Sequence, residues 1–110
     1  VTSKWLEVPA DDVGLPITIP NHSDKTLDVW GTLGGATAII EGTHDDRALT
    51  DPNNAAWKVV DDHKGNSCSY TSGFPTYLPV LYPNAYYVRV RNSGGDETTS
   101  VNYALVSKRG

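Results

Sequence analysis

Tyr86-Tyr87-Val88-Arg89-Val90-Arg91-Asn92-Ser93-Gly94-Gly95-Asp96, running on through Glu97 into Thr98-Thr99-Ser100-Val101-Asn102-Tyr103-Ala104-Leu105-Val106, decides the fold class. Successive side chains of an extended chain point to opposite faces. Tyr86, Val88 and Val90 therefore share one face over Tyr86–Arg91, while Tyr87, Arg89 and Arg91 share the other. Over Thr98–Val106 the shared apolar face is Val101, Tyr103 and Leu105. Asn92-Ser93-Gly94-Gly95-Asp96 between them has the glycines a tight turn requires, so a β-hairpin is expected.

The same signals recur along the chain at short spacing. Lys4–Val8 and Val13–Ile19 read as strands, the second interrupted by Pro16 and closed by Pro20. Thr26–Thr32 and Ala36–Glu41 flank Leu33-Gly34-Gly35 and read as another hairpin. Gly42 to Asn54 is a polar surface loop with a short turn near Arg47–Leu49. Ala56–Asp61 turns through His63-Lys64-Gly65-Asn66 into Ser67–Ser72. Thr76–Tyr82 is extended, with Pro75, Pro79 and Pro83 every four residues. Proline donates nothing to a ladder, so Val13–Ile19 and Thr76–Tyr82 are expected at edges. No segment keeps helical periodicity for three turns. About eight strands separated by turns imply an all-β fold, an antiparallel β-sandwich of jelly-roll or Ig-like type. Residues 1–110 read as one domain, with residues 1–20 an extended arm or edge.

Composition agrees and narrows the function classes. The chain has 110 residues, is 38% hydrophobic and 20% charged, and contains 11 valines and 11 threonines. Those values suit a folded β-rich chain rather than a disordered one. Apolar runs such as Ala36–Ile40 are too short to span a bilayer, so no membrane association is expected. The net charge of −4 divides into −7 over residues 1–62 and +3 over residues 63–110. Arg89, Arg91, Lys108 and Arg109 form no basic module, so direct nucleic-acid binding is not expected. The charge split suits acidic strands beside basic ones, or contact between copies of the chain. Cys68 is the only cysteine and closes no internal disulfide; it reads as a small buried residue beside Tyr70. With no apolar signal segment after Val1, synthesis and folding in a cytoplasm are expected.

His44-Asp45-Asp46 and Asp61-Asp62-His63 carry the residue types of acid–base or metal sites. Neither has the spacing of an EF-hand or of HExxH, and neighbouring acids on a strand diverge, so both read as solvated turns. No GxSxG elbow is present, and no helix follows Gly34-Gly35 or Gly94-Gly95 to hold a phosphate. No catalytic residue, metal or cofactor is expected, and the chain reads as a non-enzyme. Three tryptophans and six tyrosines against the single Phe74 provide amphipathic rings. Trp30 and Trp57 lie within strand patterns and are expected in the core. Tyr77, Tyr82 and Tyr87 are expected half-exposed, where rings anchor partners. With Val13, Pro16 and Ile17 of the proline-marked edge and Arg89 and Arg91, they form the candidate interface. The same ring types would also serve a carbohydrate-binding or adhesion module.

One pattern is more specific. Trp30-Gly31-Thr32-Leu33-Gly34-Gly35-Ala36-Thr37 is followed by Ile39-Ile40-Glu41-Gly42-Thr43-His44-Asp45. Trp57-Lys58-Val59-Val60-Asp61-Asp62, the turn at Gly65, and Tyr87-Val88-Arg89-Val90-Arg91-Asn92-Ser93-Gly94-Gly95 come later. Over residues 30 to 105 this resembles a β-sandwich pattern of structural proteins of tailed double-stranded-DNA phages. It looks most like their capsid decoration proteins of the cement or staple kind, above all the staples of the epsilon-fifteen type of short-tailed phages. The resemblance implies a virion protein on the outer capsid surface, made in the host cytoplasm. Its implied partner is the major capsid protein, whose neighbouring subunits it clamps, with self-association such as a homodimer in addition. The arm Val13–Pro20 departs from the commoner pattern.

Overall fold

The computed structural model describes residues 2–18, 23–81 and 87–109, with the backbone alone at 23, 24 and 107–109. It is an all-β antiparallel sandwich. The strands are β1 (Thr2–Val8), β2 (Ile17–Thr18), β3 (Ser23–Thr32), β4 (Thr37–Thr43), β5 (Lys58–Val59), β6 (Ser69–Tyr70), β7 (Tyr87–Ser93) and β8 (Ser100–Arg109). One sheet has the order β1-β8-β3; the other runs β2-β7-β4-β5, with β6 also pairing β4. Two 3-10 turns, Asp46–Ala48 and Pro52–Asn54, interrupt the loop between β4 and β5.

Both glycine turns that read as hairpins instead cross between the sheets. β3 pairs with β8 from Ser23↔Arg109 to Thr32↔Ser100, whereas β4 pairs with β7 from Thr37↔Ser93 to Thr43↔Tyr87. Locally the first turn is what its sequence suggests. Gly34 and Gly35 have φ of 58° and 86°, and the Ala36 amide donates to the Leu33 carbonyl. Two long non-local ladders outweigh the few bonds a local hairpin would add, and strands continuing from such a turn can part into opposite sheets. The two arches nest: the Thr99 hydroxyl donates to the Leu33 carbonyl across 2.8 Å. A Cβ on Gly95 would lie 2.9 Å from the Ala36 Cβ. The turn expected between Ala56–Asp61 and Ser67–Ser72 does form, closed by the single bridge Asp61↔Ser67, but β5 and β6 do not pair with each other and instead both run antiparallel along β4.

The core lies between the sheets. Leu27, Val29, Val101, Tyr103 and Leu105 face Ala38, Ile40, Val88 and Val90, with Val8, Val60, Cys68 and Leu81 at the flanks. Asn92 crosses it. Its side-chain amide donates to the carbonyls of Val8 and Pro9, and its carbonyl accepts the Tyr103 hydroxyl. On one side the chain passes from β1, at the edge of the three-stranded sheet, to Val13 and β2, at the edge of the other. On the opposite side residues 79–81 strap the sheets together. The Leu27 amide donates to the Pro79 carbonyl and the Leu81 amide to Lys25, while Leu81 bridges Asp62.

Trp30 is a correction. It is 42% exposed, because Leu27 and Val29 fill the inner face of β3 and alternation turns residue 30 outward.

Candidate functional site

The outer face of the five-stranded sheet carries a linked trio of charges, Glu41, Arg89 and Arg91. On β7, alternation sends Tyr87, Arg89 and Arg91 outward while Val88, Val90 and Asn92 are buried. Register places Glu41 opposite Arg89 and Ile39 opposite Arg91. The Glu41 carboxylate accepts from Arg89 Nε at 3.0 Å and from Arg91 Nε at 3.3 Å. Arg89 also stacks on the Trp57 ring, 4.4 Å from its centre, and donates to the Pro52 carbonyl. Trp57 Nε1 donates to that same carbonyl. Trp57 is therefore half-buried beneath a guanidinium on the outer face, and not in the core between the sheets. The trio carries one net positive charge, and Arg89, with its side chain 11% exposed, clamps the loop of residues 44–57 to the sheet.

The acidic clusters are used within the fold. Asp45 accepts from the Arg47 side chain and amide and from the Ala56 amide, which hold its carboxyl far below the usual range. Beside it an open groove of about 500 Å³ is lined by Thr43, His44, Asp45, Ala56, Lys58 and Val59, among others. Asp45 is the one carboxylate on that lining, and it is already saturated. Asp62 is buried, which corrects its reading as a solvated turn residue. Burial alone would raise its pKa, but hydrogen bonds from the Tyr77 hydroxyl and from the Asn66 and Lys64 amides outweigh that and lower it. Its carboxylate is thus the organiser of the β5–β6 turn. His63 Nδ1 accepts the Val80 amide at 3.0 Å, tying that turn to the strap. Tyr77 is framed by the His63 edge and by Lys64 Nζ over its ring. Cys68 is buried beside Tyr70, as its sequence context suggests, and burial pushes its thiol up to about 11. Among the described residues no group of three His, Cys, Asp or Glu side chains gathers as a metal would require.

Of the candidate interface residues, Val13, Pro16, Ile17, Tyr87, Arg89 and Arg91 share one edge and outer face. Val13 bridges Arg91, and Ile17 and Thr18 pair with Val88 and Tyr87. Tyr77 stands apart beside the strap, and Tyr82 lies outside the described residues. Glu41 and Leu15 had not been singled out as participants, and Trp30 had been expected in the core. Glu41 meets Arg89 only through the pairing of β4 with β7, which no local signal in the sequence announces. Leu15, 81% exposed, sits in the arm between Val13 and Ile17. Trp30 required the parity of β3 to be known.

These features define an antiparallel β-sandwich with crossing arches, a charged outer face and proline-marked edges. No family model matches the chain, and no curated protein matches its sequence. Among solved structures it is similar to the SPBc2 prophage-derived protein YomS. The TM-score is 0.62 at 10% identity, covering 98% of this chain and 94% of that one.

Proposed function

We propose that this chain is a non-enzymatic phage structural protein that sits on the outside of a capsid and clamps neighbouring major capsid protein subunits. The observation that carries this is the fold shared end to end with a prophage-derived protein. The chemistry of the clusters supports it: Asp45, Asp62 and Glu41 all spend their carboxylates on internal hydrogen bonds. A disulfide-free sandwich made in a host cytoplasm and then seated on the virion adds contact area at subunit seams without chemistry. Sedimentation with undecorated capsids tests this. Co-sedimentation is expected, and its absence under every assembly-like condition refutes the reading.

A clamp needs two ends, and pairing of copies supplies them. On the outer face of the three-stranded sheet Lys4, Ala104 and Asp28 form one row, by Lys4↔Ala104 and Asp28↔Ala104. The next row has Trp30 opposite Asn102, with the exposed Leu6 on the β1 side. A two-fold axis along β8 would lay β1 of one copy over β3 of the other. Lys4 then meets Asp28 of the second copy, and Leu6 meets its Trp30. Native mass measurement should find a dimer that Lys4→Glu disrupts and that adding Asp28→Lys restores.

The exposed Trp30 favours one other reading, a carbohydrate-binding or adhesion module. The rings of Trp57 and Tyr77 each carry a cation on one face, which leaves Trp30 as the more open stacking platform among these three. Glycan-array binding lost on Trp30→Ala, with a monomeric mass, would establish it over pairing.

A further inference from the structure

Residues 79–81 carry hydrogen bonds on both of their edges, and the two edges face different sheets. Toward β3, the Leu27 amide donates to the Pro79 carbonyl and the Leu81 amide to the Lys25 carbonyl, each at 2.8 Å, with Thr26 and Val80 directly opposite. Antiparallel pairing of that kind turns the Val80 amide away from β3. It points at the turn between β5 and β6, where its acceptor, at 3.0 Å, is a side chain: His63 Nδ1. Asp62 bridges Leu81 beside it. Residues 79–81 are therefore tied to the turn by an imidazole nitrogen as well as by main chain.

An imidazole nitrogen that accepts an N–H carries no proton, so the neutral ring here holds its proton on Nε2. A second proton goes to Nδ1, which then meets the Val80 amide as donor against donor. A backbone carbonyl in the same place would undergo no such change. The charged groups around the ring act in both directions. The Asp62 carboxylate attracts the cation, although it already accepts from the Tyr77 hydroxyl and from the Lys64 and Asn66 amides. Asp61, next but one in the turn, accepts from Ser67 Oγ. Lys64 Nζ repels the cation from its place over the Tyr77 ring, which the His63 ring meets edge to face. From the strap Val80 presents its amide, and β3 contributes Lys25, buried and level with Leu81.

We propose that His63 is a pH-sensitive latch: neutral, it fastens residues 79–81 to the five-stranded sheet, and protonated, it loosens that side while the strap stays on β3. The latch belongs to the fold itself and does not depend on a capsid.

The test is amide hydrogen exchange of the intact protein by NMR, expressed as protection factors at about pH 7.5 and about pH 5, which bracket ordinary imidazole titration. Val80 protection is expected to fall about fivefold or more with acid, the worth of one neutral hydrogen bond, while Leu27 and Leu81 keep theirs. His63→Asn, whose Oδ1 accepts in place of Nδ1 but takes no proton in this range, should hold Val80 protection constant. The His63 ring resonances report protonation directly. A ring that stays neutral at the lower pH overturns the latch, and so does one that titrates while Val80 protection stays level. An equal fall at Leu27 and Leu81, or the same fall at Val80 in His63→Asn, also overturns it, because acid would then be acting elsewhere.

Discussion

Replacing Tyr103 by phenylalanine removes a single oxygen from the middle of the core, and its cost follows from what Asn92 is left with. The Tyr103 hydroxyl donates to the Asn92 side-chain carbonyl, and both residues are almost fully buried. Without it that carbonyl has no donor in a site closed to water, a loss of about 1–2 kcal/mol. Unfolding entropy of roughly 2.1 cal/mol/K per residue over 110 residues makes 1 kcal/mol worth about 4 °C, so Tm should fall by about 4–8 °C. Asn92→Ala should cost more, about 3 kcal/mol or above, since it strands the Val8 and Pro9 carbonyls as well as the hydroxyl. The double variant should be less damaging than the two single changes summed, by roughly 1 kcal/mol, because neither partner is then left waiting for the other. Urea melts followed by far-ultraviolet circular dichroism measure all four proteins. Additive losses, or a Tyr103→Phe effect under about 0.3 kcal/mol, would refute the account of Asn92 as the polar tie between the sheets.

Three further outcomes are expected. Arg89→Ala should destabilise by about 2 kcal/mol, Arg91 still covering Glu41, and should speed proteolysis within residues 44–57 by removing the contacts to Trp57 and Pro52. The folded-state pKa of Asp62 is lowered, so its contribution is complete above the unfolded carboxylate value near 4 and disappears as pH falls through the folded one. Urea melts from pH 6 to 2 should therefore show the gap between wild type and Asp62→Asn closing with acid. Gly95→Ala should cost well over 1 kcal/mol, because a Cβ there meets Thr99 Oγ1 at 2.5 Å and φ is +104°. Gly35→Ala, with nothing within 4 Å, should cost only about 1 kcal/mol of backbone strain by the same melts.

Period-two alternation marked β7 and β8 because the inner face of each is chiefly apolar, Val88 and Val90 on one and Val101, Tyr103 and Leu105 on the other. Glycine at a turn shows only that φ is positive; an arch and a hairpin share that requirement, so the crossing at Gly34-Gly35 and Gly94-Gly95 was invisible locally. It is decided by ladders between residues far apart in the chain. Trp30 was misplaced because a large ring inside a strand pattern suggests a core, whereas the inward parity of β3 belongs to Leu27 and Val29 and residue 30 has the other. Asp62 looked like a solvated turn acid because Tyr77, whose hydroxyl meets its second oxygen, lies in another segment. At the candidate site, the sharing of one face by Arg89 and Arg91 was legible from alternation. That Glu41 binds both was not, since it depends on the pairing of β4 with β7.

The pairing of β8 with both β1 and β3 also determines when the molecule can form. Residues 33–99 separate β3 from β8, and until β8 has been synthesised the three-stranded sheet has no central strand. Closing so long a segment costs entropy before any ladder bond offsets it. Topologies dominated by such distant contacts fold slowly, on the millisecond-to-second scale typical of sandwiches. A nascent chain without β8 therefore presents β1 and β3 as open edges, and both stay adhesive until β8 emerges to lie between them.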